Sequence, residues 1–235
     1  MMAMSERGAS RENHIIWEQR YERGEAVLRY PFDVVVSFVF QKLMRPTKGI
    51  PVSILDFGCG AGNHMRFLVE NGYQAFGVDV APSALRLSGE AVAEIASDYP
   101  RERFAQMDGN RIPYEDASFD AVLDRSSLGQ NTAADLGELV TEIHRVLKPG
   151  GVYFGINFSD THPDLRYGKS MGNGDFASFS QGIFKGIGTR HFFSVSEVQK
   201  LFSHFEIDDI RLLKDVSVLG RGGNVQIITE ARRPG

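Results

Sequence analysis

The chain has 235 residues, 42% of them hydrophobic and 24% charged, with a formal net charge of −4. Those figures describe one globular domain able to close a core without staples, and they argue against a broadly basic face that would follow a nucleic acid. The single cysteine, Cys59, excludes an internal disulfide and leaves no clustered thiols for a metal. The longest apolar segment, 34–40, is too short to span a bilayer, and the opening Met-Met-Ala-Met-Ser-Glu-Arg lacks a signal peptide's apolar stretch. The expectation is therefore a cytoplasmic protein without membrane attachment, as monomer or homodimer.

Residues 1–10 are small and polar and are expected to be disordered. A helix is predicted from Glu12 to Arg29, where Ile15, Ile16, Trp17, Tyr21 and Leu28 stand among charges. Pro31 and Asp33 open a second apolar segment through Met44, whose β-branched run suits a strand but whose length and Gln-Lys-Leu-Met tail favour a helix. Residues 11–48 thus read as a helical cap, and 49–235 as the core of the same single domain.

From Pro51 apolar and amphipathic segments alternate. Strands are predicted at 52–57, 74–80, 103–107, 119–124 and 151–158, and helices up to Asn71-Gly72, from Pro82 to about Asp98, and from Thr132 to Leu147. Such alternation implies a doubly wound, mainly parallel α/β sheet of Rossmann-like type, with right-handed crossovers and helices on both faces. Residues 159–190 break the rhythm with six glycines and scattered aromatics, and read as a variable lid or substrate loop. Ser194-Val195-Ser196-Glu197 forms a capping box for a short helix to His204, and strands follow at 205–213 and 225–230.

The most telling stretch is Ile54 to His64, reading Ile-Leu-Asp-Phe-Gly-Cys-Gly-Ala-Gly-Asn-His, with Gly77-Val78-Asp79 ending the next apolar run. Gly58, Gly60 and Gly62 let the main chain turn sharply from strand to helix and approach a ligand with no Cβ in the way. Cys59 suits that turn as a small residue. A dinucleotide fingerprint would put a glycine where Asn63 stands, and the Asp56 carboxylate would repel a diphosphate. The same carboxylate attracts an ammonium, directly or through water. Asp79, at the tip of the second strand, suits both hydroxyls of a ribose, or else caps the helix after Pro82.

Three constellations follow: Asp108-Gly109-Asn110-Arg111-Ile112-Pro113-Tyr114, Ser118-Phe119-Asp120-Ala121-Val122-Leu123-Asp124, and Glu142 to Gly151. In this order and spacing the chain resembles, over about 50–230, the class I S-adenosylmethionine-dependent methyltransferases, especially their small-molecule branch. The resemblance implies seven strands in the order 3-2-1-4-5-7-6, the last antiparallel, and S-adenosylmethionine as cofactor. It places Asp56, Gly58, Cys59, Gly60, Gly62, Asp79 and Val80 in the cofactor pocket, with Asp108, Gly109 and Asn110 at the adenine. Asp124 would face the cofactor and Arg125 the cofactor or acceptor, unless the two form a structural ion pair. The segments holding Trp17, Tyr21 and Tyr30 look like caps that fold over the cofactor or bind an acceptor ring, although Trp17 and Tyr21 at i, i+4 also fit a core-facing stripe.

A sulfonium cofactor already carries an activated methyl group, so the protein must mainly align an acceptor and exclude water. An alcohol or phenol acceptor would benefit from a base. His191 and His162 are the candidates, each with a packing role as alternative, and Tyr167 of the same loop is a candidate acceptor contact. The expected function is methyl transfer to an oxygen or nitrogen of a small organic molecule by in-line displacement. An RNA methyltransferase of ribose or base nitrogen and a noncatalytic cofactor-binding subunit are the alternatives. The chain lacks an Asn/Asp-Pro-Pro-aromatic tetrad and a second cysteine, and nucleic acid is not the expected partner.

Overall fold

The computed structural model describes residues 6–46 (side chains from Arg11), 51–107, 109–218 and 222–235. The chain opens with helix α1 (Glu6–Glu22). α1 begins inside the segment expected to be disordered, whose residues 1–5 lie outside the described residues, and it ends at Glu22 rather than Arg29. Gly24 sets that end: its φ of +68° is open to glycine and turns the chain out of the helix. Helix α2 (Asp33–Lys42) confirms helix over strand for the β-branched run and buries Val35, Phe38 and Val39.

The alternation then proceeds as β1 (Ser53–Phe57), α3 (Asn63–Glu70), β2 (Gln74–Asp79), α4 (Pro82–Ala93), β3 (Phe104–Gln106), β4 (Phe119–Arg125), α5 (Ala133–Val146) and β5 (Leu147–Phe158). α4 stops short of Asp98 because the amides of Ile95 and Ala96 both return to the Val92 carbonyl and close the last turn. The second half adds β6 (Lys169–Gly172), β7 (Asp175–Ala177), β8 (Arg190–His191), α6 (Val195–Leu201), β9 (Glu206–Val216) and β10 (Gly223–Arg232). The Ser194 hydroxyl accepts from the Glu197 amide at 3.1 Å, as a capping box requires.

Seven strands form one sheet in the order β3-β2-β1-β4-β5-β10-β9. The first five are parallel, and β10 runs antiparallel to both neighbours, which reproduces the implied 3-2-1-4-5-7-6 pattern. Both faces are covered because successive residues of each strand point to opposite sides. Leu55 joins Val78, Leu136 and Ile143 under α5, whereas Ile54 joins Met65, Leu68 and Val92 on the other face. There α2 lays Phe38 flat on Phe154, with ring centroids 4.1 Å apart.

Residues 159–190 are not an irregular loop. A 3-10 turn at Pro163–Tyr167 leads into a separate three-stranded sheet, β6-β7-β8, packed around its own aromatic core of Phe158, Phe179, Phe184 and Phe192. The module is fastened by His191, which is fully buried. Its Nδ1 lies 2.8 Å from Asp175 Oδ1 and its Nε2 3.0 Å from Glu197 Oε2, while Asp175 also accepts from the Ala133 amide at 3.2 Å. One imidazole therefore joins β7, β8, the start of α5 and α6.

Burial disfavours the imidazolium, but the hydrogen bonds to Asp175 and Glu197 outweigh it and raise His191 above the usual 6.5. A histidine raised in the folded state stabilises fully below its unfolded pKa and loses that contribution as pH rises through the folded one. Hydrogen exchange at β8 should accordingly quicken as pH rises above the usual histidine range. His191→Gln should remove this pH dependence and cost roughly 3 kcal/mol in denaturant melts.

Candidate functional site

The site is built around the turn from β1 into α3. Gly58, Gly60 and Gly62 take φ values of +73°, +52° and +86°, a left-handed run that only glycine adopts without strain. The amides of Gly58 and Cys59 donate to the Val78 carbonyl at 2.8 and 2.9 Å, and the Gly60 amide donates to Asp79 Oδ2 at 2.9 Å. Asp79 Oδ1 accepts from the Ala81 amide at 2.9 Å, so the helix-capping role is present. One lone pair on each oxygen remains for a ligand. A Cβ at Gly62 would stand 2.7 Å from the Ser88 Cα of α4, and one at Gly60 would stand 2.6 Å from the Tyr21 hydroxyl.

Above this turn, at the carboxyl ends of β1, β2 and β4, lie two adjoining chambers that share Trp17, Tyr21, Gly58, Arg125, Ser126 and Gln130. The outer chamber, about 720 Å³ with its mouth, adds Asp79, Val80, Met107 and Gly109, and is of the size that takes a nucleoside-sized ligand. The inner one adds Phe32, Gly60, His64, Phe158 and Arg190. α1 is the roof. Asn13 donates to the carbonyls of Gln130 (2.5 Å) and Thr189 (2.6 Å) and accepts from the Thr189 amide (3.0 Å). Trp17 Nε1 donates to Gln130 Oε1 at 2.9 Å, and Glu18 accepts from the Ser83 amide and hydroxyl at 3.1 and 2.7 Å.

Charge is segregated across the two chambers. Asp79 is raised to about 6, mainly by burial and also by Asp56, with the Ala81 and Gly60 amides opposing. Asp56 is buried, its Oδ1 lies 3.6 Å from His64 Nδ1, and its Oδ2 has no hydrogen-bond partner among the described residues. The Tyr21 hydroxyl is pushed well up by burial and the Asp79 charge. On the opposite side burial lowers Arg125 to about 10 and Arg190 to about 9, the latter also through repulsion by Arg125. Arg125 is aimed by the turn that follows it, where Ser126 adopts a φ of +62° and its hydroxyl accepts from the guanidinium.

A family model of the methyltransferase domain matches residues 54–151, the stretch from β1 into β5 that supplies this turn. Among relatives, an uncharacterized methyltransferase of Synechocystis is 32% identical over 43% of this chain and 44% of its own length. A malonyl-[acyl-carrier protein] O-methyltransferase of Enterobacter lignolyticus is 34% identical over 48% of this chain and 42% of its own. A solved S-adenosylmethionine-dependent methyltransferase from Methanosarcina mazei superimposes with a TM-score of 0.67 at 22% identity, covering 87% of this chain and 99% of that one. Residues 54–151 thus match a methyltransferase domain, and the chain shares the fold of a solved S-adenosylmethionine-dependent methyltransferase. It spans less than half the length of the two curated relatives, so the shared part is the methyltransferase domain.

The site residues expected of a class I methyltransferase fall into two groups. Trp17, Tyr21, Gly58, Cys59, Gly60, Asp79, Val80, Gly109 and Arg125 line the chambers. Asp56 lies at the end of β1 below the turn, and Gly62 faces α4. The residues fit the cofactor: the unpartnered, buried Asp56 oxygen suits its ammonium, and the Asp79 carboxylate suits its ribose. Asp108 lies outside the described residues. Asn110 turns away, donating to Asp135 and Glu138 at 3.1 and 2.8 Å.

Asp124 is spent on structure, accepting from the amides of Ser127 and Leu128, the Tyr153 hydroxyl and the Asn157 amide group. Tyr30 is 77% exposed and Tyr167 packs on the aromatic module, stacked by Arg166, so neither lines the chambers. Nor do His191 and His162. His162 Nδ1 accepts from the Asp164 amide at 3.1 Å, which leaves Nε2 as donor to Asn224 Oδ1 at 3.2 Å, and burial lowers its pKa. With both nitrogens engaged, these two imidazoles hold the module rather than a substrate. The imidazoles on the chamber walls are His14 and His64. His64 follows Asn63 directly and was readable from the turn; Arg190, Phe158 and Gln130 carried no motif.

Asn13→Ala deletes three hydrogen bonds that hold the roof, at an expected cost of about 2–3 kcal/mol in chemical denaturation. Trypsin should then cut at Arg20 and Arg23 before the sheet is attacked, a pattern that limited proteolysis with mass spectrometry resolves.

Proposed function

We propose that the protein is a methyltransferase that uses S-adenosylmethionine to methylate an oxygen or nitrogen of a small organic molecule. The observation that carries the reading is Asp79, pinned by the Gly60 and Ala81 amides with lone pairs left toward the outer chamber, beside an Asp56 oxygen that nothing in the described chain satisfies. Asp79 accepts from the ribose hydroxyls, Asp56 from the ammonium, and the main chain of Gly58–Gly60 carries the methionine moiety. Val80 and Gly109 flank the base. Trp17 and Tyr21 close over the cofactor and exclude water.

The bound cofactor supplies a methyl group activated on sulfur, which an acceptor lone pair takes by in-line displacement. The chain's contribution is alignment in the inner chamber and removal of water, which accounts for the lack of a general base among the expected loop histidines. The roof formed by α1 and the net charge of −4 support a small acceptor over a nucleic acid. A buried, raised Cys59 thiol suits a cytoplasmic setting.

Titration with S-adenosylhomocysteine by calorimetry tests the reading. Asp79→Asn should weaken binding by about 2–3 kcal/mol while the domain stays folded. Because only the ionised Asp79 accepts from both hydroxyls, wild-type affinity should fall as pH drops below about 6, by up to about tenfold per pH unit, and the Asn variant should lose this dependence. Folded protein that ignores both the methyl donor and its demethylated product at millimolar concentration overturns the assignment.

A further inference from the structure

The inner chamber carries a charge pattern that methyl transfer does not itself require. Arg190, which opens β8, is only 3% exposed, yet its Nε and Nη2 have no hydrogen-bond partner. Arg125, at the end of β4, likewise leaves Nε unpartnered. Both face the same chamber, and among the described residues neither forms an ion pair with a carboxylate. Asp124, the acid next in sequence to Arg125, is consumed by four donors of its own.

Buried cations in folded proteins are paired, because an unpaired one forfeits its hydration without return. Here the partial substitutes are aromatic faces. The Arg125 guanidinium lies 4.2 Å from the Phe32 ring centroid, and that of Arg190 lies 4.9 Å from Phe158 and 5.2 Å from Phe184. The rings cover one side of each guanidinium while the Nε–Nη2 edge of Arg190 and the Nε of Arg125 stay unpartnered, Nη1 of Arg125 being taken by Ser126. The Arg190 edge is the one from which arginine grips a carboxylate with two parallel hydrogen bonds, and Arg125 adds a further N–H.

We propose that the inner chamber holds the methyl acceptor by a carboxylate set between Arg125 and Arg190, with its apolar body against Phe32 and Phe158, so that the substrates are small organic acids. This rests on the methyltransferase reading and narrows its acceptor. The charge pattern also orients the molecule. The carboxylate is drawn to the arginines and repelled from the side of Asp56 and Asp79, which leaves the opposite end of the acid toward the cofactor.

The test uses full-length wild type, Arg190→Met and Arg190→Lys, each first titrated with S-adenosylhomocysteine. Wild type that fails this titration refutes the methyltransferase reading and not the anion site. The loaded proteins are then titrated with benzoate, phenylacetate, cinnamate and 4-hydroxybenzoate and with the four matching amides. We expect at least one acid to bind at least about tenfold tighter than its amide. Arg190→Met should lose about tenfold or more of that affinity, Arg190→Lys should keep part of it, and both should bind S-adenosylhomocysteine within about twofold of wild type. Without acid, Arg190→Met should melt no lower than wild type, since an unpaired buried charge has been removed. Should the Met variant fail to fold, Arg190→Lys with its acid-to-amide ratio decides alone. Amides that bind as well as acids, no binding by any acid, or a loss of cofactor-product affinity in Arg190→Lys matching its loss of acid affinity would overturn the proposal. The last outcome would give the arginines to the cofactor's own carboxylate.

Discussion

The Gly60 amide and the Asp79 carboxylate, 2.9 Å apart, fasten the tip of β1 to the tip of β2. A charge-assisted hydrogen bond of this kind contributes about 1.5–3 kcal/mol, and here it also sets shape. With Gly60 held down, the chain reaches Gly62 close enough to α4 that no side chain fits, and Tyr21 of the roof settles onto the space a Cβ at Gly60 would fill. Asp79 gains a fixed orientation from the same contact, shared with the Ala81 amide. Floor, back wall and roof of the cleft are thus registered to a single backbone N–H.

From that frame the cleft acquires a polarity. Its acidic side comes from the first two strands and their turn, residues belonging to the matched methyltransferase stretch 54–151. The cationic side is assembled from Arg125 at the end of β4 and Arg190 in the module between β5 and α6. The module reaches the cleft chiefly through Arg190 and through Phe158 at its root; its aromatic core and the His191 network serve to hold those two in place. The matched stretch thus supplies the acidic side and Arg125, and the module that follows it supplies Arg190.

What the sequence disclosed and what it withheld divide along the range of the interactions. Strand positions, sheet order and the glycine turn were legible because each is encoded by local periodicity or by a local backbone requirement. The proximity of Asp79 to the turn was legible for the same reason, since parallel strand tips meet at the carboxyl edge. The end of α1 was misjudged because apolar residues continue to Leu28 past Gly24, whose left-handed backbone overrides them. For His191 and His162 the packing role offered as the alternative is the one present: each ring joins a partner 6 or 2 positions away to one 16 or 62 positions away, and the distant partners left no local signal. Asp124 appeared at a ligand-facing strand end, yet its donors Tyr153 and Asn157 come from β5. Arg190 left no trace at all, because nothing in its neighbourhood along the chain tells an exposed arginine from a buried one.

The Asn13 side chain meets carbonyls 117 and 176 positions further along the chain, so three remote stretches converge on one small amide. Loss of that one amide frees the amino-terminal segment, the stretch after β4 and the stretch before β8 together, so the steadiness of the roof is set by contacts far apart in the chain.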